Sequence, residues 1–441
     1  MRKNITYIAL LAITVVLVLS ACGPVTTPTE VPPTSVPTAV PPTKVPPTEV
    51  PTQQTFTFGL VMVGAKNDHG WSQAHYDAGM YVEQKVSGAK MLYLENVYSG
   101  SPAYTGTTTS QLAEQLVAQG AQLIIFNSDD MKDEATKFAQ DHSDIPVIMS
   151  SGDQVWQQGS AYIPMANMVN IMGRMEFGKM MAGCAAALTS QTGKIGYLGP
   201  LINDETRRLA SSAYLGAKYC WAQKNATAAV AQPAGSGAAS SAQTAGGLEF
   251  KVTWIGFWFY IPGFSSDPTV VADDFYNSGY DVVISGIDTT EAMTEAKRLH
   301  DAGQAVWSIP YDFKGACDQA PEICLGVPYF NWGPAYVTTI QSAIDGTFAS
   351  NFQWNGPDWT DINNPDTSAV GFVKGPALSA EASASLDTFI AALAGGLNLW
   401  TGPISLQDGT VYLTDGQVAT DQEIWYLPQL LEGMEGQSVS Q

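Results

Sequence analysis

Positive charge is scarce in this chain of 441 residues: 20 lysines and arginines stand against 41 aspartates and glutamates, a formal net charge of −21. Proteins that bind nucleic acid neutralise phosphates with clustered Lys and Arg, and no such cluster is present, so nucleic acid is excluded as a partner. Only 4 histidines and 5 cysteines occur, none at a spacing that suits zinc. Gly-x-Ser-x-Gly and phosphate-loop sequences are missing. The Gly-rich stretch from Gly235 to Gly247 lacks the strand and helix that flank a dinucleotide site. Pairing Asp68 with His75 as acid and base has no motif behind it. The expectation is a protein that is not an enzyme and needs no cofactor or metal.

What is present begins at the N-terminus. Arg2 and Lys3 precede an apolar run from Ile5 to Leu19 that is short for a bilayer span, followed by Leu19-Ser20-Ala21-Cys22. A basic start, a short apolar segment and small residues before a break read as a secretion signal over residues 1–21. The break before a cysteine resembles the lipobox of bacterial lipoproteins, in which Cys22 becomes the lipid-modified first residue. That resemblance implies a protein lipid-anchored on the outer face of a cell membrane. From Gly23 to about Thr55, in the lipidated-Cys and linker segment 22–55, the chain repeats Val-Pro-Thr units, with no aromatic side chain and almost no charge. Such a segment buries too little surface to offset its conformational entropy, and its prolines favour an extended form. At about 3.1 Å per residue it reaches on the order of 100 Å.

Residues 56–441 are too many for one minimal core and suit two lobes. Short apolar runs alternate with helical stretches: Phe56–Val63, then Trp71–Val86, Lys90–Leu94, Thr109–Gln119, Ala121–Phe126, Lys132–His142 and Pro146–Met149. A second series starts with a long apolar helix over Met168–Leu188. It continues through Lys194–Leu198, Arg207–Trp221, Lys251–Phe259, Pro268–Ser278, Asp281–Ser285, Thr289–Ala302 and Ala305–Ile309. Alternation of this kind predicts two α/β, doubly wound parallel-sheet lobes with a ligand cleft between them. The N-terminal lobe is expected over 56–167, completed by about 331–354. The C-terminal lobe is expected over 168–330, with a flexible insertion at 222–247, completed by part of 355–441. Beyond Gly356 the chain reads as loops and short strands.

With Cys22 assigned to the lipid, Cys184, Cys220, Cys317 and Cys324 form an even set in an oxidising compartment. Pairing of Cys317 with Cys324, close in sequence, is expected first and Cys184 with Cys220 second; buried free thiols are the alternative.

After the first strand come Asn67-Asp68-His69-Gly70-Trp71-Ser72. Residues that follow a strand in a parallel sheet face the binding crevice, where an acid and a large aromatic can hydrogen-bond to and stack on one ligand. An Asp capping the helix beside a Trp packed in the core is the alternative, and the roles are compatible. Here the chain resembles the basic membrane protein family, the substrate-binding lipoproteins of ABC transporters that include purine nucleoside receptors of the PnrA type. Asp68-His69-Gly70-Trp71-Ser72 matches the family's Asp-x-Gly-aromatic-Asn/Ser segment. Lys194 to Gly199 looks like its Gly-Lys-Ile-Gly strand, and Ala213-Tyr214-Leu215-Gly216-Ala217 its Phe-x-x-Gly-Ala helix. Trp254 to Trp258, Asp288-Thr289-Thr290 and Pro310-Tyr311-Asp312 sit where the family places cleft residues. Asn331-Trp332-Gly333-Pro334-Ala335-Tyr336 is similar to a segment of one branch.

The resemblance implies the type I periplasmic-binding-protein fold, an ABC permease and ATPase as partners, and a purine nucleoside or base-like ligand. The implied ligand-binding residues are Asp68, Trp71, Asp129, Trp258, Asp288, Asp312, Asn331 and Trp332, with His75 expected in the core or on the surface. One departure bears on the ligand: nucleoside-binding members carry a Lys after the strand that precedes the last long helix, where this chain has Tyr329, Phe330 and Asn331. A free base or another flat polar ring is therefore nearly as well suited. A sugar receptor of an importer and a ligand sensor for a signalling partner stand as alternatives, because aromatic stacking and Asp acceptors serve pyranose rings equally well.

Overall fold

The computed structural model describes residues 55–230 and 247–439. The signal segment, Cys22, most of the Pro/Thr-rich linker and residues 231–246 of the expected insertion lie outside them. In chain order the first part runs β1 (Phe56–Val61), α1 (Trp71–Lys85), β2 (Ala89–Leu94), α2 (Thr109–Ala118), β3 (Leu123–Phe126), α3 (Lys132–Asp141), β4 (Val147–Ser150), β5 (Met168–Gly173) and α4 (Met175–Thr189). Then come β6 (Lys194–Gly199), α5 (Asp204–Val230), β7 (Glu249–Trp254), α6 (Pro268–Asn277), β8 (Val282–Ser285), α7 (Glu291–Asp301), β9 (Trp307–Ile309), β10 (Gly326–Phe330) and α8 (Gly333–Ile344). The chain ends through β11 (Asn351–Asn355), β12 (Val370–Lys374), α9 (Ala380–Ala394), β13 (Ile404–Ser405), β14 (Val411–Leu413), α10 (Asp421–Trp425) and β15 (Met434–Glu435).

Two parallel sheets result. The first has the order β11-β5-β4-β3-β1-β2 and the second β15-β7-β6-β8-β9. Central strands such as Leu123-Ile124-Ile125-Phe126 and Val282-Val283-Ile284-Ser285 are buried along their whole length, as strands covered by helices on both faces must be. In each sheet the strand order reverses about the first strand of the series, between β2 and β3 at β1 and between β7 and β8 at β6. The chain passes between the sheets three times: from β5 into α4, from β10 into α8, and from β11 into β12. β10 and β12 pair antiparallel beside these crossings.

Four sequence expectations are corrected here. Met168–Leu188 is not one helix. Met168–Gly173 is a strand of the first sheet, every residue buried, and the helix begins only at Met175. A fully buried strand and a buried helix carry the same unbroken apolar signal, so periodicity did not separate them. The polar Asn170 is held in the strand by its neighbours, its Oδ1 accepting from Val155 N at 2.8 Å and its Nδ2 donating to Gln154 at 2.8 Å. Secondly, residues 222–230 continue α5, because Ala-Gln-Lys-Asn-Ala-Thr-Ala-Ala-Val contains good helix formers and no Gly or Pro. Thirdly, the region after Gly356 holds a helix, α9, whose N-terminus is capped by Ser379 Oγ accepting from Ala382 N. Trp254 also ends its strand earlier than expected, which leaves Trp258 on the loop that follows.

Helices α4 and α5 form the core of the second lobe. They approach closely enough that a Cβ on Gly183 would stand 1.8 Å from the Ala213 carbonyl oxygen, and one on Gly216 would stand 2.0 Å from that of Met180. Cys184 is bonded to Cys220 across this crossing, and Cys317 is bonded to Cys324 in the segment before β10. No helix among the described residues is long and apolar enough to cross a membrane.

Candidate functional site

Both points of strand-order reversal open onto one narrow slot that is partly open to solvent. The first lobe supplies Trp71, Ser128, Asp129 and Ser151. The second supplies Tyr197, Glu205, Trp258, Asp288 and Tyr311, with Pro200, Thr206, Leu209 and Gly286 between them. Nearly all of these residues lie within a few positions of a strand's carboxyl end: Ser128 and Asp129 after β3, Ser151 after β4, Trp258 after β7, Asp288 after β8 and Tyr311 after β9. Strand ends at a reversal leave a crevice because the adjacent connections turn to opposite faces.

Four non-glycine residues among those described have positive φ, and three are at this cleft: His69 (φ 58°), Ser151 (φ 64°) and Asp312 (φ 70°). Backbone held in this way is costly and collects where geometry serves a site.

The expected residues divide. Trp71 lines the slot and is also packed: it is buried, its Nε1 donates to the Asn127 carbonyl at 2.5 Å, and it meets Phe330 and Trp332 edge-on at 5.3 Å each. Asp129, Trp258 and Asp288 line the slot with it. Asp68 lies beside the slot and is occupied with the backbone, accepting from the N–H groups of Gly70, Ser72 and Gln73 at 2.9, 2.9 and 3.0 Å. It therefore caps α1 and fixes the loop that aims Trp71. Burial raises its pKa to about 6 against the opposing pull of those bonds.

Asp312 sits behind the slot rather than in it. It is fully buried, with no hydrogen-bond partner for either carboxylate oxygen among the described residues. Burial raises its pKa well above the usual range, and the nearby Lys179 charge opposes the shift. Lys179 is itself fully buried, donates to the Ser285 carbonyl at 2.7 Å, and lies 3.1 Å from the Tyr311 ring centre.

Asn331 and Trp332 are not brought to the slot. Asn331 Nδ2 donates to the carbonyls of Pro365 and Ser368 at 3.0 and 2.7 Å and so ties down the loop before β12. Trp332 is buried, stacked between His75 (4.3 Å) and Phe330 (4.7 Å). His75 is a core residue. Its Nδ1 lies 2.6 Å from the Tyr336 hydroxyl, which is 2.7 Å from Ser150 Oγ, and burial lowers its pKa well below the ordinary value.

Tyr197, Glu205, Ser128 and Ser151 line the slot without having been among the expected residues. All but Tyr197 follow a strand end closely, which was a usable signal; Tyr197 lies inside β6, and only the packing brings its hydroxyl over Gly286. Glu205 stands in the first turn of α5, and its pKa is raised to about 7 by burial and by the Asp129 and Glu176 charges, with Arg208 opposing. A carboxyl whose folded-state pKa is raised stabilises the fold fully only below its unfolded value and loses that contribution as pH rises through the folded one. Glu205→Gln is therefore expected to raise the thermal midpoint of the ligand-free protein at pH 8 relative to the wild type, with the gain disappearing at pH 5. The same difference at both pH values would show that Glu205 carries no desolvation penalty.

Comparison with known proteins bears on the class first. A solute-binding protein of an ABC transporter system from Aeropyrum pernix K1 superposes with a TM-score of 0.57 at 12% identity, covering 80% of this chain and 93% of that one. One from Conexibacter woesei DSM 14684 gives 0.54 at 14% identity, covering 78% and 98%. Two parallel sheets, three crossings and a cleft at both reversal points make this a type I periplasmic solute-binding fold.

Residues 56–228 match the model of the Bmp family, described as ABC transporter substrate-binding protein PnrA-like. A purine-binding protein of Brucella abortus (strain 2308) is 26% identical over 374 residues, 84% of this chain and 91% of that protein. A putative ABC transporter glucose-binding protein of Haloferax volcanii is 25% identical over 308 residues, 69% of this chain and 65% of that protein. Over residues 56–228 the chain is thus similar to the PnrA-like substrate-binding proteins of ABC transporters.

Proposed function

We propose that this protein captures a purine nucleoside or purine base-like solute between its lobes and presents it to the permease of an importer, held at the membrane by a lipid on Cys22. The observation that carries the ligand reading is the slot itself, which Trp71 and Trp258 line beside Asp129, Glu205 and Asp288. Stacking contributes about 0.5–1.5 kcal/mol per ring pair beyond area burial. A carboxylate accepting from ring N–H, amino or hydroxyl groups adds roughly 1.5–3 kcal/mol. The Brucella relative's name agrees with such a ligand. Capture works by hinge closure: the lobes close over the solute, and the closed surface is what a permease distinguishes from the open one.

Isothermal titration of the ligand-free protein against nucleosides, free bases and simple sugars tests the reading. Heat with a purine supports it, and silence with every nucleoside and base sinks it. The Haloferax relative's name favours a sugar as the second reading; binding confined to the sugars would establish that one. The tether is checked separately by metabolic labelling with palmitate, which is expected to mark the wild-type protein and to be lost in Cys22→Ala.

A further inference from the structure

We infer that the solute held in this slot is a cation: a flat ring carrying a protonated or quaternised nitrogen. The inference rests on the slot between Trp71 and Trp258 being the binding site, and it deepens that reading by fixing the ligand's charge.

Six carboxylates lie in, beside or just behind the slot wall, and four have partners. Asp68 accepts three backbone N–H groups, Asp129 has Lys132 at 3.4 Å, Glu176 has Arg208 at 2.7 Å, and Asp312 has the field of the buried Lys179. Glu205 and Asp288 are left. Neither forms a salt bridge among the described residues, and no Lys, Arg or His lines the slot. The nearest cation to Glu205, Arg208, is engaged by Glu176.

Asp288 is only 5% exposed and lines the slot, yet its carboxylate accepts no hydrogen bond from the described residues. Two further buried groups in the same wall lack partners, Ser151 Oγ and the Tyr311 hydroxyl. Unpartnered polar groups on one cavity wall mark where a ligand completes the bonding. Burial and the surrounding acids push Asp288 and Glu205 toward their protonated forms while the slot is empty.

A neutral ring with N–H groups needs carboxylate acceptors, and ionising Asp288 or Glu205 beside it would enclose an uncompensated charge, which is the costly arrangement. A cationic ring lets both acids ionise and neutralises the charge that results, and the Trp71 and Trp258 rings add cation–π attraction. The same wall repels anions, so nucleotides and sugar acids are excluded.

The test is isothermal titration at pH 7 with matched rings that differ in charge: 1-methyladenosine against adenosine, and 1-methylnicotinamide against nicotinamide. The cationic member is expected to bind about ten-fold tighter or better, and the double variant Glu205→Gln, Asp288→Asn is expected to lose that preference. Neutral rings binding as well as their cationic partners would overturn the inference and leave the purine reading standing. Binding of 1-methylnicotinamide with both adenosines silent would support the cation and overturn the purine. Silence across all four compounds would overturn the inference.

Discussion

Gly70→Ala is expected to weaken solute binding by about ten- to hundred-fold while the ligand-free protein stays folded. Gly70 stands at the entrance to α1 in the first lobe, and a Cβ built on it would lie 1.7 Å from the Asp288 carbonyl oxygen and 2.6 Å from its carbonyl carbon in the second lobe. Both are backbone atoms and cannot swing aside as a side chain can. The requirement at this position is space.

Around this contact the lobes also meet through the His69 and Phe313 rings at 6.2 Å, Tyr98 and Phe259 at 5.5 Å, and Asn203 Nδ2 donating to Asp129 at 3.5 Å. An alanine methyl would hold the loops apart, and overpacking of about 1–3 kcal/mol converts to the stated loss. Without solute the lobes relieve the clash by opening, so the unfolding midpoint should barely move. Titration measures the affinity, and small-angle scattering should show a larger radius of gyration in the presence of solute than for the wild type. Affinity within two-fold of wild type would mean that these loops do not meet in the bound state.

Arg208→Met is expected to cost about 3–5 kcal/mol of unfolding free energy. The Arg208 side chain is 1% exposed and that of Glu176 is 6%; Arg208 Nε donates to Glu176 Oε1 at 2.7 Å, and the guanidinium lies 4.0 Å from the centre of the Trp425 ring. Burial already raises the Glu176 pKa, and Arg208 is its main opposing influence. Removing the cation leaves a carboxyl that must either stay charged in an apolar surrounding or take up a proton, and each option is unfavourable.

The pair also has a position that ties it to function. Glu176 opens α4 just after the chain crosses from the first sheet, and Arg208 lies one turn beyond Glu205 at the slot. Adding Glu176→Gln to Arg208→Met should recover most of the loss, because no isolated charge then remains. Denaturant unfolding measures both variants, and a loss below about 1 kcal/mol in the single variant would mean that the pair is solvated.

The class of fold was legible because parallel strands buried on both faces leave unbroken apolar runs, and amphipathic helices between them leave a different period. Legibility failed where the two signals coincide, at Met168–Gly173, and where a helix, α9, followed a stretch rich in turn residues. The site was legible to the extent that it follows strand ends. Trp71 was expected at the cleft by that rule and Asp129, Trp258 and Asp288 through the family resemblance, and all four line the slot.

Asn331 and Trp332 also stand just after a strand, β10, but that strand pairs with β12 beside the crossings and belongs to neither parallel sheet. Its end therefore does not open on the slot. Asp68 shows the converse: the acid next to the site is engaged by backbone N–H groups.

The sequence by itself determined most of the strands and helices, the charge of the molecule, the even set of cysteines and the class of fold. These are properties of neighbours along the chain, where period, composition and short motifs carry the information. The tertiary structure alone decided which carboxylates lack a counter-charge, that Tyr197 and Glu205 join Trp71 and Trp258 around one slot, and that Gly70 is spaced against Asp288. Burial and charge pairing depend on groups far apart in sequence, here 218 positions for Gly70 and Asp288 (288 − 70). Separations of that length are fixed only when both sheets have folded and their reversal points face each other.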